Sequence, residues 1–167
     1  MIRAILIIQL ILCLAINTFS QTQEEEVMKP INLLFEGMKK ADSAIVRKAF
    51  FAEAKMFSSI ELGRKIEDSY HQPGEVIIKE EQLNNFLNAI GSKAKGTPDW
   101  NEKLLTTEIK IDEGIAQVWT EYSFFVGDKF SHCGVNAFQL MKDNSGWKII
   151  HIMDTRRKKG CKKEFSD

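Results

Sequence analysis

The chain is predicted to fold as an α+β domain, a curved antiparallel or mixed sheet shaped as a cone, with N-terminal helices packed on its concave face. Three observations predict it. Helical periodicity is confined to the first half of the chain. From residue 104 onward, β-forming runs follow one another with only short turn signals between them. Segregated helices and strands of this kind build a sheet covered on one face, and a curved sheet closed by helices encloses an interior suited to a small molecule.

The first 20 residues stand apart. Arg3 gives a positive start, residues 4–16 are apolar except for Gln9, and Thr18-Phe19-Ser20 ends in a small residue before polar Gln21. This is the layout of a secretory signal peptide cleaved near Ser20. The apolar run falls short of the ~20 residues that span a bilayer, so no stable membrane span is expected and the product is exported, periplasmic or secreted. The full sequence carries 23 basic and 23 acidic side chains. Removing residues 1–20 takes away only Arg3, which leaves a balanced chain with no global bias toward nucleic acid. Two cysteines remain, Cys133 and Cys161, and in an exported protein they allow one disulfide, which would tie the tail back.

Residues 21–26 read as a polar leader. Residues 27–157 read as one domain, and residues 158–167 as a basic tail. Val27, Met28, Ile31, Leu34, Phe35 and Met38 share one face of a first helix, which Gly37 to Lys40 should loosen. Asp42 or Ser43 can cap a second, short helix with Ile45, Val46, Ala49 and Phe50 as its buried side. Residues 54–60 read as a strand, with 66–70 as a candidate partner and His71-Gln72-Pro73-Gly74 as a turn. A brief β segment at 76–78 leads into a third helix with Leu83, Phe86, Leu87 and Ile90 on one face. A loop over 91–99 leaves Trp100 beside it, and residues 104–111 form the next strand.

Residues 115–157 are the distinctive stretch. Three β runs are separated by Val126-Gly127-Asp128-Lys129 and Lys142-Asp143-Asn144-Ser145-Gly146, the pattern of an antiparallel meander. His132, Asn136, His151, Asp154 and Arg156 are polar where a plain sheet would be apolar. Trp119 and Phe125 fall on the other face from Tyr122, where an exposed apolar patch would serve a homodimer through the sheet. Trp147 is read as core.

The order of elements and His132-Cys133-Gly134-Val135-Asn136-Ala137-Phe138-Gln139-Leu140, followed by Gly146-Trp147-Lys148-Ile149 and Asp154-Thr155-Arg156-Arg157, resemble the nuclear transport factor 2-like (polyketide cyclase-like) superfamily. Within it the chain is most similar to the exported bacterial group provisionally labelled lumazine-binding. The resemblance covers residues 27–157. It implies a cone-shaped α+β barrel with an open end and frequent dimers through the sheet. It implies no single activity, because the fold hosts isomerases, dehydratases, cyclases and binding modules without catalysis.

Which residues meet depends on the register of the last hairpin. Closing Met141 onto Lys148 sets Phe138 against His151 and Asn136 against Met153. A one-residue slip sets His132 against Arg156 and Gly134 against Asp154, and reverses every pairing. The second register is the one that favours function. It gathers His132, Asn136, Asp154 and Arg156, with Gly134 leaving room for a ligand. There Asp154 would polarise His132 as a general acid or base. Arg156 would bind an oxyanion, Asn136 would orient the ligand, Tyr122 would line the pocket and Trp100 would cap its mouth. The alternative is a satisfied structural network at the end of the sheet. No metal-ligand spacing, Gly-x-Ser-x-Gly or phosphate loop occurs, so no metal or cofactor is expected. The functional expectation is an exported domain that binds a small organic ligand. The alternatives are an isomerase- or dehydratase-type enzyme using His132 and Asp154, and a non-catalytic dimeric interaction module.

Overall fold

In the computed structural model, which describes residues 23–61 and 75–161, helices pack against one face of a six-stranded mixed sheet that is not closed. The expected signal peptide, the strand at 66–70, the turn at 71–74 and the end of the basic tail lie outside the described residues.

Helix α1 spans residues 23–40, so Gln23 to Glu26 are helical. Its inward stripe is Val27, Ile31, Leu34 and Met38, all buried. Gly37 does not loosen the helix. A β-carbon there would stand 2.5 Å from the Val46 side chain, so the missing side chain is what lets the next helix approach. Ala41 takes φ 55° and the Asp42 N–H donates to the Gly37 carbonyl at 2.9 Å, which closes the helix end. Asp42 then caps α2 (Ser43–Ala49), accepting from the Ala44 and Ile45 N–H groups at 2.9 and 3.1 Å.

The remaining elements are β1 (Phe50–Glu61), β2 (Val76–Gln82), α3 (Leu83–Gly91), β3 (Trp100–Asp112), β4 (Ile115–Val126), β5 (Lys129–Asp143) and β6 (Gly146–Arg156). Strand order is β2-β1-β6-β5-β4-β3. All neighbours are antiparallel except β1 and β6. Three elements differ from expectation. β1 begins at Phe50, directly at the end of α2. The segment at 76–78 extends to Gln82 and is itself the partner of β1. Trp100 opens β3 instead of sitting in a loop.

Phe125 is buried, not exposed as expected. A bulge between Phe124 and Phe125 shifts the pairing, and Phe130 (ring centroids 5.8 Å) and Lys103 (4.6 Å above the ring) cover it. Trp119 is half exposed, and Trp147 is buried in the core.

Candidate functional site

The last hairpin closes in the first of the two expected registers and then departs from it. Asp143 pairs with Gly146, whose φ is 107°, and Met141 pairs with Lys148. A bulge between Gln139 and Leu140 then advances β6 by one residue. Beyond it Phe138 faces Ile152, Asn136 faces Asp154 and Cys133 faces Arg157. Asp154 therefore lies opposite Asn136, two residues from the expected Gly134. Side chains alternate with period two, so an even offset keeps the same faces together. His132, Asn136, Asp154 and Arg156 do line one cavity.

The inner face of the sheet is layered in rungs. Met56, Ile152, Phe138 and Val118 are register partners across β1, β6, β5 and β4, and they form an apolar rung. The next inward rung is polar: Ser58, Asp154, Asn136 and Thr120. Ser58, Thr120 and Asn136 are buried, and the Asp154 side chain keeps only 10% of its surface exposed. Leu34, Phe35 and Met38 of α1 and Phe86 of α3 face these rungs across a cavity of about 1040 Å³, and Trp100 lines it from the start of β3. Lys93 lies 4.5 Å above the Trp100 ring.

The polar rung holds itself by hydrogen bonds. Ser58 Oγ donates to Asp154 Oδ1. Arg156 Nε donates to Asp154 Oδ2 at 2.6 Å, and that ion pair leaves about 45% of the Arg156 side chain open. Tyr122 Oη stands 2.9 Å from the Thr155 carbonyl and 3.3 Å from Asp154 Oδ2. Burial, followed by the charges of Asp154 and Glu102, pushes the Tyr122 pKa up, so the phenol stays a neutral donor. Burial works against the Arg156 charge, but Asp154 outweighs it and the guanidinium pKa rises above its ordinary value.

His132 and Asp154 meet through Tyr122. The His132 ring stacks on Phe124 (4.9 Å) and abuts the edge of Tyr122 (5.8 Å), whose hydroxyl reaches Asp154. His132 Nδ1 lies 3.0 Å from Ser131 Oγ. Gly134 leaves no room for a ligand. A β-carbon there would fall 1.7 Å from the Thr155 carbonyl oxygen and 2.9 Å from the Tyr122 ring, so these groups occupy the space. His151 lies away from the cavity, edge-on to Phe57 at 5.6 Å.

Glu102 and Ser58, polar residues of the cavity wall, escape the sequence reading. Asn136 Nδ2 donates to Glu102 Oε1 at 2.5 Å. Burial pushes the Glu102 carboxyl up to about 8; the Asn136 hydrogen bond opposes the rise, Asp154 adds to it and Arg156 opposes it. At neutral pH Glu102 is therefore mostly protonated and can donate a hydrogen bond into the cavity. A signal existed for each. Extending the alternation of β3 backward from Leu104 puts Glu102 and Trp100 on one face, and Ser58 interrupts the inward series Ala54, Met56, Ile60.

Cys133 and Cys161 form a disulfide with Cα atoms 5.8 Å apart. Cys133 also exchanges both backbone hydrogen bonds with Arg157, at 2.9 and 3.0 Å. The short loop between Arg157 and Cys161 is thus fastened at both ends to one residue, and Arg157, Lys158 and Lys159 line the mouth of the cavity.

No family model matches the chain, and no curated protein matches it. Solved structures do. A nuclear transport factor 2-like protein of unknown function from Shewanella baltica shares 16% identity over 81% of this chain and 94% of its own, with a TM-score of 0.56. A nuclear transport factor 2-like protein with a cystatin-like fold from Novosphingobium aromaticivorans shares 11% identity over 89% and 90%, with a TM-score of 0.60. Another protein from that organism, provisionally named scytalone dehydratase, shares 9% identity over 84% and 88%, also at 0.60. These likenesses do not reach the lumazine-binding group. The layered cavity thus stands in an α+β cone with the nuclear transport factor 2-like fold.

Proposed function

We propose that this chain is an exported domain that binds a small organic molecule in the interior of its cone. The observation that carries the reading is the cavity of about 1040 Å³, apolar on its helix side and at one rung of the sheet, with Asp154, Asn136, Tyr122 and Glu102 converging on the next. Small-molecule sites combine an apolar body with a few placed polar groups in this way. Protonated Glu102 offers a donor to a carbonyl or hydroxyl oxygen, while the Tyr122 hydroxyl is held on the Thr155 carbonyl; Trp100 and His132 add aromatic lining. The disulfide supports export, since such bonds persist in oxidising compartments. Among the described residues no helix is long and apolar enough to cross a membrane. The test is mass spectrometry of small molecules retained by the chain purified from its native source, compared with a Phe138→Trp variant that fills the cavity. Equal retention by both overturns the reading.

A second reading, an enzyme of isomerase or dehydratase type, is favoured by one observation. Glu102 carries a proton at neutral pH beside an ion-paired Asp154, and two carboxyl groups driven to different protonation states can divide acid and base roles. In this reading His132 moves the proton, Asp154 orients the polar network, and Tyr122 or Arg156 stabilises the developing oxyanion. His132→Ala then abolishes turnover while the melting temperature changes little; turnover that survives the substitution excludes the role.

A homodimer through the outer sheet face is supported by Trp119 and Met153. Each is 47% exposed, and they are neighbours across Ala137. Sedimentation of a Trp119→Lys variant tests it: the parent sediments as a dimer and the variant as a monomer. A monomeric parent removes the proposal.

A further inference from the structure

One lip of the cavity mouth is basic. Arg157, Lys158 and Lys159 line it in succession, directly beyond the Arg156–Asp154 ion pair. Two carboxylates line the same cavity: Glu61, which follows the Ile60 partner of Arg156 on β1, and Glu81, which is already paired with Lys79 at 3.3 Å. Lysines at a chain end are ordinarily solvated and mobile, and contribute little to binding. These are held differently. Arg157 is fixed to Cys133 by two backbone hydrogen bonds, and four residues on Cys161 is fixed to the same Cys133 by the disulfide. Gly160, at φ 68°, supplies the left-handed residue that lets the loop return. Two attachments to one strand residue restrain the backbone that carries the basic pair, so that part of its freedom is not lost again on binding a ligand.

We propose that the Cys133–Cys161 disulfide holds Lys158 and Lys159 over the cavity so that the site selects an amphiphilic organic anion, with its apolar body on the Met56–Phe138 side and its acid group at the basic lip. This rests on the reading of the cavity as a ligand site and adds the charge class of the ligand. The cation at the lip acts on an acid group outside the polar rung, so its contribution is separable from that of Asp154, Tyr122 and Glu102.

The test uses two fluorescent probes that differ by one sulfonate, 1-anilinonaphthalene-8-sulfonate and neutral N-phenyl-1-naphthylamine, titrated into the oxidised chain at low salt. The sulfonate binds roughly tenfold more tightly than the neutral probe, and the difference shrinks as salt is added. Lys158→Gln with Lys159→Gln, both exposed and expected to leave folding intact, brings the two probes to similar affinity by weakening the sulfonate alone. Cys161→Ser does the same with the lysines present, and a thermal melt confirms that the variant is folded at the assay temperature. Equal affinity of the two probes for the parent overturns the anion selectivity, while binding of both leaves the cavity reading standing. Sulfonate preference that survives Cys161→Ser overturns the role of the disulfide. Binding of neither probe overturns the cavity reading and this inference with it.

Discussion

Tyr122 lies across Gly134, its Cα partner on the neighbouring strand, with its ring beside the place a β-carbon would take and its hydroxyl on the Thr155 carbonyl at 2.9 Å. The glycine is required by close approach and not by backbone conformation, for its φ lies outside the left-handed region. Gly134→Ala drives a methyl group into the Thr155 backbone, which cannot swing aside as a side chain would. The variant should lose at least about 3 kcal/mol in urea unfolding, at the upper end of overpacking costs.

Glu102 makes stability depend on pH with a defined sign. Its folded pKa of about 8 lies above the ordinary 4.5, so across that window the native state holds a proton that the unfolded chain has released. Stability is therefore full below the lower value and falls as pH rises toward the upper one, by at most ~1.4 kcal/mol per pH unit. Glu102→Gln keeps an oxygen that accepts from Asn136 and removes the titration. Chemical denaturation between the two pH values should show a flatter profile for the variant, with the larger gain at the alkaline end.

Asp154→Asn should lower the Glu102 pKa. The Asp154 charge raises it and the Arg156 charge depresses it, and the substitution removes the first while freeing the second from its ion pair. The carboxyl carbon resonance of Glu102, followed by NMR through a pH titration, should reach its midpoint at lower pH than in the parent. An unchanged midpoint would mean that the Asp154 and Arg156 charges do not set the value.

Loss of the disulfide should also cost stability. Cys133 and Cys161 are 28 residues apart, a loop whose closure in the unfolded chain corresponds to roughly 3–4 kcal/mol. Cys161→Ser, unfolded in urea beside the oxidised parent, should show a loss of that order or somewhat less. The parent treated with a reductant should approach the variant.

Much of this fold is legible in the residues themselves. The three meander strands announce themselves by alternation and by turn residues, and the Val27, Ile31, Leu34, Met38 stripe defines its helix. The face on which His132, Asn136, Asp154 and Arg156 gather is legible too, because it depends only on parity. Their partners are not. The bulge at Gln139 and Leu140 adds one residue to the β6 side, and no glycine or proline lies beside it to mark it. Glu102 was hidden for a related reason: a loop rich in Gly, Pro and Lys blurs where β3 begins, and a strand begun at Leu104 leaves Glu102 outside the sheet. From sequence alone Gly134 reads as space for a ligand, because a missing side chain says that something comes close, and only the pairing with Tyr122 and the approach of Thr155 say what.

The parallel pairing of β1 with β6 sets the order in which the site can come into being. β6 is the last strand in the described chain, yet it lies at the centre of the sheet, joining β1 and β2 to β5, β4 and β3. Ser58 and Asp154, bonded across that seam, are 96 positions apart. Until residues 146–156 have been synthesised, the chain holds two half-sheets, each with an inner edge unpaired and open to other strands. Closure of so distant a pair is a slow step. Its reward is that no partly made chain presents a finished pocket: the Asp154 network and the basic lip arrive together with the strand that seals the fold.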